Sequence, residues 1–193
     1  MLVEIKNKYS QIFNNNNYNS IRIMLSTSNL FALRVNDYKS YAYASLFVAG
    51  NIVLPQVCHL LPFGGHILLP IYFFTLIAAY KYGFFTGLMT AIASPLVNHL
   101  LFGMPSSEML PAILVKSVLL AGAASYLAYR TKQVSIIALL LVVVLYQSIG
   151  SLAEWAITGS AYVAIQDLRM GIPGMLLQVV GGYLCLKALT KRK

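Results

Sequence analysis

The feature that most constrains this chain is a series of long apolar stretches between Ser40 and Leu189. A helix that crosses the hydrocarbon core of a membrane needs about 20 mostly apolar residues, because the core is about 30 Å thick and each residue rises about 1.5 Å. Breaks at proline, glycine or charged residues divide the stretch into candidate spans at residues 40–61, 67–82, 83–102, 109–129, 134–157 and 170–189. The sequence therefore predicts an all-α integral membrane bundle of six transmembrane helices.

Composition and domain organisation agree with this prediction. Apolar residues make up 59% of the chain and charged residues only 10%, well below the share in water-soluble domains. We expect one membrane domain over residues 40–190, preceded by a polar leader over residues 1–39 that is disordered or lies on the membrane surface. The candidate span at residues 67–82 is short. Read alone it is re-entrant, but omitting it places the two ends of the chain on opposite sides.

The basic residues predict the orientation of the bundle, because Lys and Arg beside membrane spans are retained on the cytoplasmic side. Twelve of the fourteen Lys and Arg residues would lie on one side of the membrane. They precede the first span, follow the last one, or lie in the connections between spans two and three and between spans four and five. The exceptions are Lys116, which lies inside a span, and Arg169. Both ends of the chain are thus predicted to be cytoplasmic in a multi-pass protein. The net charge of +9 follows from this topology and does not indicate nucleic-acid binding.

Small residues recur at four-residue spacing on several spans and allow helix backbones to approach closely. Gly83, Gly87 and Ala91 form one stripe, and Ser45 with Ala49 forms a shorter one. Two interpretations are open: packing inside the bundle, or a docking face for another membrane subunit.

Polar side chains gather toward the opposite side from most of the basic residues. A polar group inside the bilayer is costly unless it is paired or faces water, so these groups are candidates for substrate contact. They are His66, Asn98, His99, Lys116, Gln147, Ser151, Glu154 and Trp155. Lys116 and Glu154 are expected either to pair with each other or to contact a ligand, Lys116 through a negative or carbonyl group and Glu154 through a donor. Trp155 is either an interfacial aromatic residue or part of a pocket wall.

Several short motifs carry a family resemblance. They are Leu61-Pro62-Phe63-Gly64-Gly65-His66, Leu69-Pro70-Ile71, Ser94-Pro95-Leu96, Leu101-Phe102-Gly103-Met104-Pro105 and Gly171-Ile172-Pro173-Gly174, with Gln178 one turn after the last. With these motifs the chain resembles the substrate-specific S components of energy-coupling factor transporters, in the vitamin and micronutrient branch. The resemblance covers about residues 40–189 and leaves the substrate subgroup unassigned.

The resemblance implies a bacterial cytoplasmic-membrane protein that captures a water-soluble micronutrient outside the cell. It also implies that the chain works with a transmembrane coupling subunit and two ATPases, and that it has no cofactor and no enzymatic activity of its own. Under it, Gln178 joins the substrate-contacting residues, and Ser45, Ala49, Gly83, Gly87 and Ala91 face the coupling subunit. The chain departs from the family in its first span, where it has Ser45 and Ala49 and family members often have a pair of alanines at this spacing. It also lacks the amino-terminal Met-His pair of the metal-transporting branch, which disfavours cobalt or nickel.

Two other classes of protein remain open. A membrane-embedded enzyme would use His99, Glu154 or Lys116 as acid and base, although the chain has no Gly-x-Ser-x-Gly or His-Glu-x-x-His motif. A metal carrier would use Cys58, His59, His66 and His99, although their spacing matches no compact metal motif. The chain also lacks a Walker-type phosphate loop, so ATP hydrolysis of that kind must come from a partner.

Overall fold

The computed structural model of the protein describes residues 37–60 and 64–191. For Gly65, His66, Asp167 and Lys191 it describes the backbone only. The predicted leader lies outside these residues, apart from its last three. Within the described ranges all regular structure is helical.

Ten α-helices follow one another along the described chain. They are α1 (Tyr38–Cys58), α2 (Gly64–Leu68), α3 (Phe73–Tyr82), α4 (Phe84–Phe102), α5 (Leu110–Thr131), α6 (Ile136–Thr158), α7 (Ala161–Ala164), α8 (Gln166–Met170), α9 (Ile172–Leu176) and α10 (Gly182–Lys191). A 3₁₀ turn over Pro70–Tyr72 precedes α3. A π-helical segment over Leu177–Gly181 joins α9 to α10, so that one helical span runs from Ile172 to Thr190.

Five helices of the described residues are long and apolar enough to cross a membrane: Tyr38–Cys58, Phe84–Phe102, Leu110–Thr131, Ile136–Thr158 and Ile172–Thr190. The protein is thus a multi-pass membrane protein, and the predicted sixth crossing at residues 67–82 is not confirmed. That segment is broken at Leu69, whose φ of 46° is left-handed, and by the following Pro70. Helix α3 has ten residues and is therefore about 15 Å long, half the thickness of the hydrocarbon core.

The short helix α3 lies at the centre of the bundle. Nine of its ten residues are buried, and it packs against α1, α4, α5 and α10. At its end, Tyr80 donates a hydrogen bond to the carbonyl of Gln133 at 2.8 Å, and Lys81 Nζ donates one to the carbonyl of Leu189 at 2.5 Å. Such a short helix is tolerated at membrane depth because its surroundings are protein rather than lipid.

Contacts of α3 also show how the ends of the bundle are arranged. The ring of Tyr82 stacks on Tyr43 of α1 with the ring centroids 4.1 Å apart, while its neighbour Lys81 bonds to Leu189 of α10. The beginning of α1 and the end of α10 therefore lie together, at what we call the basal end. The opposite end, where α1 ends and α5 begins, contains a cavity and is called the cavity end.

The predicted stripes of small residues divide between the interior and the surface. Gly87 and Ala91 are buried, and a Cβ atom added to Gly87 would lie 2.4 Å from the Cβ of Ala79, so α4 packs on α3 at this glycine. Gly83 joins these two helices with a φ of 93°, which favours glycine. In contrast, Ser45 and Ala49 are exposed on α1. Gly87 and Ala91 thus serve packing inside the bundle in this structure, whereas Ser45 and Ala49 lie on its surface.

Candidate functional site

A buried ion pair joins α5 to α6 toward the cavity end. Lys116 Nζ lies 2.5 Å from Glu154 Oε2, and the two residues are only 1% and 4% exposed. Of the two interpretations that the sequence left open, the structure shows the pairing of Lys116 with Glu154. Breaking a buried pair by removing one partner leaves an uncompensated charge and is strongly unfavourable. The pair fixes the relative position of α5 and α6 and keeps two charges in the interior.

Glycine at position 150 makes room for this pair. A Cβ atom added to Gly150 would lie 2.6 Å from Cγ of Lys116, so the methylene chain of the lysine crosses α6 directly over this glycine. Glu154 follows one turn later on the same helix face. Gly150 therefore allows Lys116 to lie flat on α6 and to reach the carboxylate.

The helix face that Lys116 crosses is polar along its length. Gln147, Gly150, Ser151 and Glu154 recur at the spacing of one helix face, and all four are buried. We call them the α6 polar face. The amide of Gln147 and the hydroxyl of Ser151 have no hydrogen-bond partner among the described residues. Two further orphaned atoms on neighbouring helices are Ser117 Oγ and Gln178 Nε2, and one more, Thr86 Oγ1, lies near the start of α4.

Orphaned buried atoms are uncommon in folded proteins, because each costs the desolvation energy of a polar group without the compensating bond. Gln147 and Gln178 are 1% and 0% exposed, so neither side chain is hydrated at the protein surface. Polar groups of this kind are typical of sites that complete their bonds with a ligand, and they mark the α6 polar face and its surroundings as the candidate site.

A second connection from α6 runs through two tyrosine rings. Tyr146 donates a hydrogen bond to Oε1 of Gln178 at 2.9 Å, which places the predicted residue Gln178 beside α6. The ring of Tyr146 packs on that of Tyr72 with the centroids 5.4 Å apart. Gln178 lies in the π-helical segment, a feature that frequently marks functional sites.

A cavity of about 230 Å³ opens among these elements. Its wall is formed by the last turns of α1 and α4, residues 69–72, the loop that carries Met104 to Ser106, the start of α5, and Glu154. The cavity therefore reaches one member of the ion pair, Glu154, and the ring of Tyr72. The cavity is not lined by Lys116, Gln147, Ser151 or Gln178.

A second cluster of buried polar side chains lies beside the cavity, and its members form hydrogen bonds with one another and with the backbone. The amide nitrogen of Asn51 donates to Thr75 Oγ1 and to Ser94 Oγ, both at 3.0 Å, and its oxygen accepts from the backbone N–H of Phe74 at 3.1 Å. Asn98 donates to the backbone carbonyl of Asn51 at 3.0 Å. That carbonyl lacks its helical partner because residue 55, four positions later, is a proline. We call Asn51, Thr75, Ser94 and Asn98 the Asn51 cluster.

The remaining predicted site residues are dispersed. Asn98 borders the cavity, but its amide nitrogen is engaged by the carbonyls of Asn51 and Ser94. His99 Nδ1 lies 2.7 Å from the carbonyl oxygen of Pro105 and so holds the loop between α4 and α5. Trp155 is 52% exposed and does not line the cavity, which fits an aromatic residue at the membrane interface. His66 lies in α2, and its side chain is outside the described residues.

Sequence reasoning missed four residues that shape the site: Asn51, Tyr72, Gly150 and Tyr146. Asn51 had a readable signal, since an asparagine four residues before Pro55 lies at the carbonyl that the proline leaves unpaired. Gly150 lies between Gln147 and Glu154 on the predicted polar face, where a glycine indicates a close approach. Nothing in the sequence distinguishes Tyr72 and Tyr146 from the other tyrosines. In the part of the chain that the structure describes, no three His, Cys, Asp or Glu side chains are grouped as metal ligands.

The fold and the site together define a class, a multi-pass helical membrane protein with a polar, charge-paired interior that adjoins a cavity. Comparisons with protein-family models, curated protein sequences and solved structures find no match.

Proposed function

We propose that the protein is the substrate-binding membrane subunit of an energy-coupling factor importer that captures a small, water-soluble micronutrient. The observation that supports this most strongly is the cavity that Glu154 lines, backed by the buried Lys116–Glu154 pair. A ligand-binding cavity combines mainly apolar walls with a few fixed polar groups, and this cavity has that composition.

The distribution of charge supports an orientation with the cavity outside. Lys81, Arg130 and Lys132 lie near the basal end together with the C-terminal residues, whereas Arg169 lies on the cavity side. Under the positive-inside rule the basal end is cytoplasmic, and both ends of the described chain then face the cytoplasm of a bacterial inner membrane. The cavity is thereby oriented toward the outside, where a nutrient is captured.

Delivery of the nutrient requires partners under this proposal. The chain has no Walker-type loop, so a transmembrane coupling subunit and two ATPases supply the energy. Ser45 and Ala49 are exposed small residues on α1 and are suited to close contact with a helix of the coupling subunit. Gly83, at the basal connection between α3 and α4, is the other predicted docking residue that is not fully buried.

The first experiment identifies what binds. Protein purified in mild detergent is denatured, and the released small molecules are identified by mass spectrometry. We expect one polar organic compound near one equivalent per chain, retained by the unaltered protein and lost from Glu154→Gln and Lys116→Met.

The matched control is Lys81→Met, which removes the second of the two lysines that are buried among the described residues, at the basal end. It should retain the compound. Retention by all three variants would overturn the assignment of the site.

The second experiment tests transport. The chain is reconstituted in proteoliposomes with a coupling subunit and ATPases, and accumulation of the identified compound is followed. We expect accumulation only with ATP and all partners. Uptake by this chain alone, or chemical conversion of the compound, would overturn the proposal in favour of a carrier or an enzyme.

A further inference from the structure

We infer that the cavity selects an uncharged ligand that offers an N–H or O–H donor to Glu154, such as a carboxamide, a neutral amine on a ring or a ring N–H. This inference rests on the proposed function and narrows its substrate class. It excludes recognition of a ligand carboxylate or phosphate by Lys116 as the main polar contact.

The first step of the inference is the order of the two charges as seen from the cavity. Glu154 lines the cavity, whereas Lys116 does not and is 1% exposed. The lysine reaches the carboxylate from the side of α5, over Gly150. Of the two charged residues, a ligand in the cavity therefore contacts Glu154, which is an acceptor, and not Lys116.

The second step concerns the charge of the ligand. The ion pair is neutral as a whole, and charges interact strongly where water is excluded. An anion in the cavity would approach the negative member of the pair. A cation would compete with Lys116 for Glu154 and leave a buried ammonium group without its counter-charge, which is strongly unfavourable. A neutral donor avoids both costs, because a carboxylate oxygen accepts more than one hydrogen bond.

The third step concerns shape. Apart from Glu154, the wall near the ring of Tyr72 is formed largely by prolines and aliphatic side chains, including Pro55, Pro70 and Ile113. Rings of proline and tyrosine present flat, apolar surfaces that favour stacking with a planar group. Among the other polar lining residues, His59 and Ser106 are exposed, Gln56 is half-buried, and the amide nitrogen of Asn98 is engaged by two backbone carbonyls. The cavity thus fits a flat, mainly apolar group with its donor directed at Glu154.

A set of four probes of nearly equal shape tests the inference on the purified full chain. They are benzamide, which is neutral with a donor; methyl benzoate, which is neutral without one; benzoate, an anion; and benzamidinium, a cation. Binding is measured by ligand-detected NMR titration in detergent, after any co-purified compound has been removed.

Benzamide is expected to bind with a Kd of about a millimolar, as is usual for such small probes. The other three are expected to bind at least about tenfold more weakly. Methyl benzoate lacks the hydrogen bond to Glu154, and benzoate and benzamidinium each bring an unfavourable charge to the ion pair.

The variant Glu154→Gln adds a second test because it removes the negative charge that faces the Lys116 ammonium group. Benzamide should then lose its advantage over methyl benzoate, and benzoate should bind more tightly than it does to the unaltered chain. Lys81→Met should bind all four probes as the unaltered chain does.

The ranking in the unaltered protein decides the question even if Glu154→Gln does not fold. Tightest binding of benzoate or benzamidinium, equal binding of all four probes, or no binding of any would overturn the inference. None of these results would by itself overturn the proposed function, which depends on a compound that co-purifies and is lost with Lys116 or Glu154.

Discussion

Two polar clusters lie inside the same bundle, and they complete their hydrogen bonds in different ways. In the Asn51 cluster, the amide nitrogen and oxygen of Asn51 are bonded, and the backbone carbonyl that Pro55 leaves unpaired is bonded to Asn98. On the α6 polar face, the amide of Gln147 and the hydroxyl of Ser151 have no partner among the described residues.

This difference distinguishes buried polar groups that stabilise the fold from buried polar groups that are candidates for ligand contact. A completed network stabilises and specifies one packing arrangement, so the Asn51 cluster is explained by the fold alone. An incomplete one costs free energy in the folded state, so the α6 polar face needs a further explanation. Glu154, at the end of this face, lines the cavity, whereas Gln147 and Ser151 do not, so a ligand in the cavity reaches the face at Glu154.

The largest effect on stability is expected from splitting the ion pair. Lys116→Met leaves the Glu154 carboxylate buried without its counter-charge and should lower the free energy of unfolding by about 3–5 kcal/mol. The double variant Lys116→Met with Glu154→Gln should recover most of this loss. Unfolding of the detergent-solubilised protein by SDS measures both. Losses that simply add would show that the two charges are not coupled.

The next largest effect is expected in the Asn51 cluster. Asn51→Leu preserves volume but leaves the N–H of Phe74 and the hydroxyls of Thr75 and Ser94 without this partner. We expect a loss of about 3 kcal/mol, since each buried group left unsatisfied costs about 1–3 kcal/mol. The same SDS titration checks it, and a loss below about 1 kcal/mol would contradict the structural role of this cluster.

A smaller effect on stability, with a clear effect on the site, is expected at Gly150. Gly150→Ala places a methyl group against Cγ of Lys116 and should cost about 1–3 kcal/mol as the lysine is displaced. Retention of the co-purified compound should fall at least about tenfold, the equivalent of about 1.4 kcal/mol.

Gly122→Ala on α5 is the matched control for this substitution. An added Cβ at Gly122 meets no atom within 4 Å, so this change should be neutral or stabilising by up to about 1 kcal/mol. Equal effects of the two substitutions would show that the contact with Lys116 is unimportant.

Gln147→Leu provides the sharpest contrast with Asn51→Leu. It removes two orphaned atoms and breaks no bond among the described residues, so the free energy of unfolding should stay the same or rise by about 1 kcal/mol. If the α6 polar face contributes to binding, retention of the compound should fall nonetheless. A loss of stability as large as that of Asn51→Leu would remove the distinction between the two clusters.

The smallest effect is expected at Trp155. This residue is 52% exposed and lies outside the cavity wall, so Trp155→Ala should change stability by no more than about 0.5 kcal/mol. Ligand retention should be unchanged in the mass-spectrometric assay. A loss of retention would place Trp155 at the site after all.

The sequence was most informative where one physical requirement acts along a single helix. Length and apolarity predicted the five long helices, because the membrane dictates both. The crossing predicted for residues 67–82 is not confirmed, since Leu69 and Pro70 interrupt the helix there and neighbouring helices bury α3. For Lys116 and Glu154 the sequence left two interpretations, pairing or contact with a ligand, because buried charges at similar depth in a membrane need partners of some kind.

From the sequence alone follow a helical membrane bundle, a polar face on α6 and two buried charges, Lys116 and Glu154, that need partners, because polar groups are costly in lipid. Only the tertiary structure decided which buried groups complete their bonds and which charge lies at the cavity. Asn51 and Gln147 are both buried amides in apolar helices, and the sequence alone does not separate them. Asn51 lies where α1, α3 and α4 converge and supply partners, whereas Gln147 lies where no described neighbour does. Hydrogen bonds depend on positions in space to within a fraction of an ångström, and those positions are set by packing between helices rather than by the pattern along any one of them.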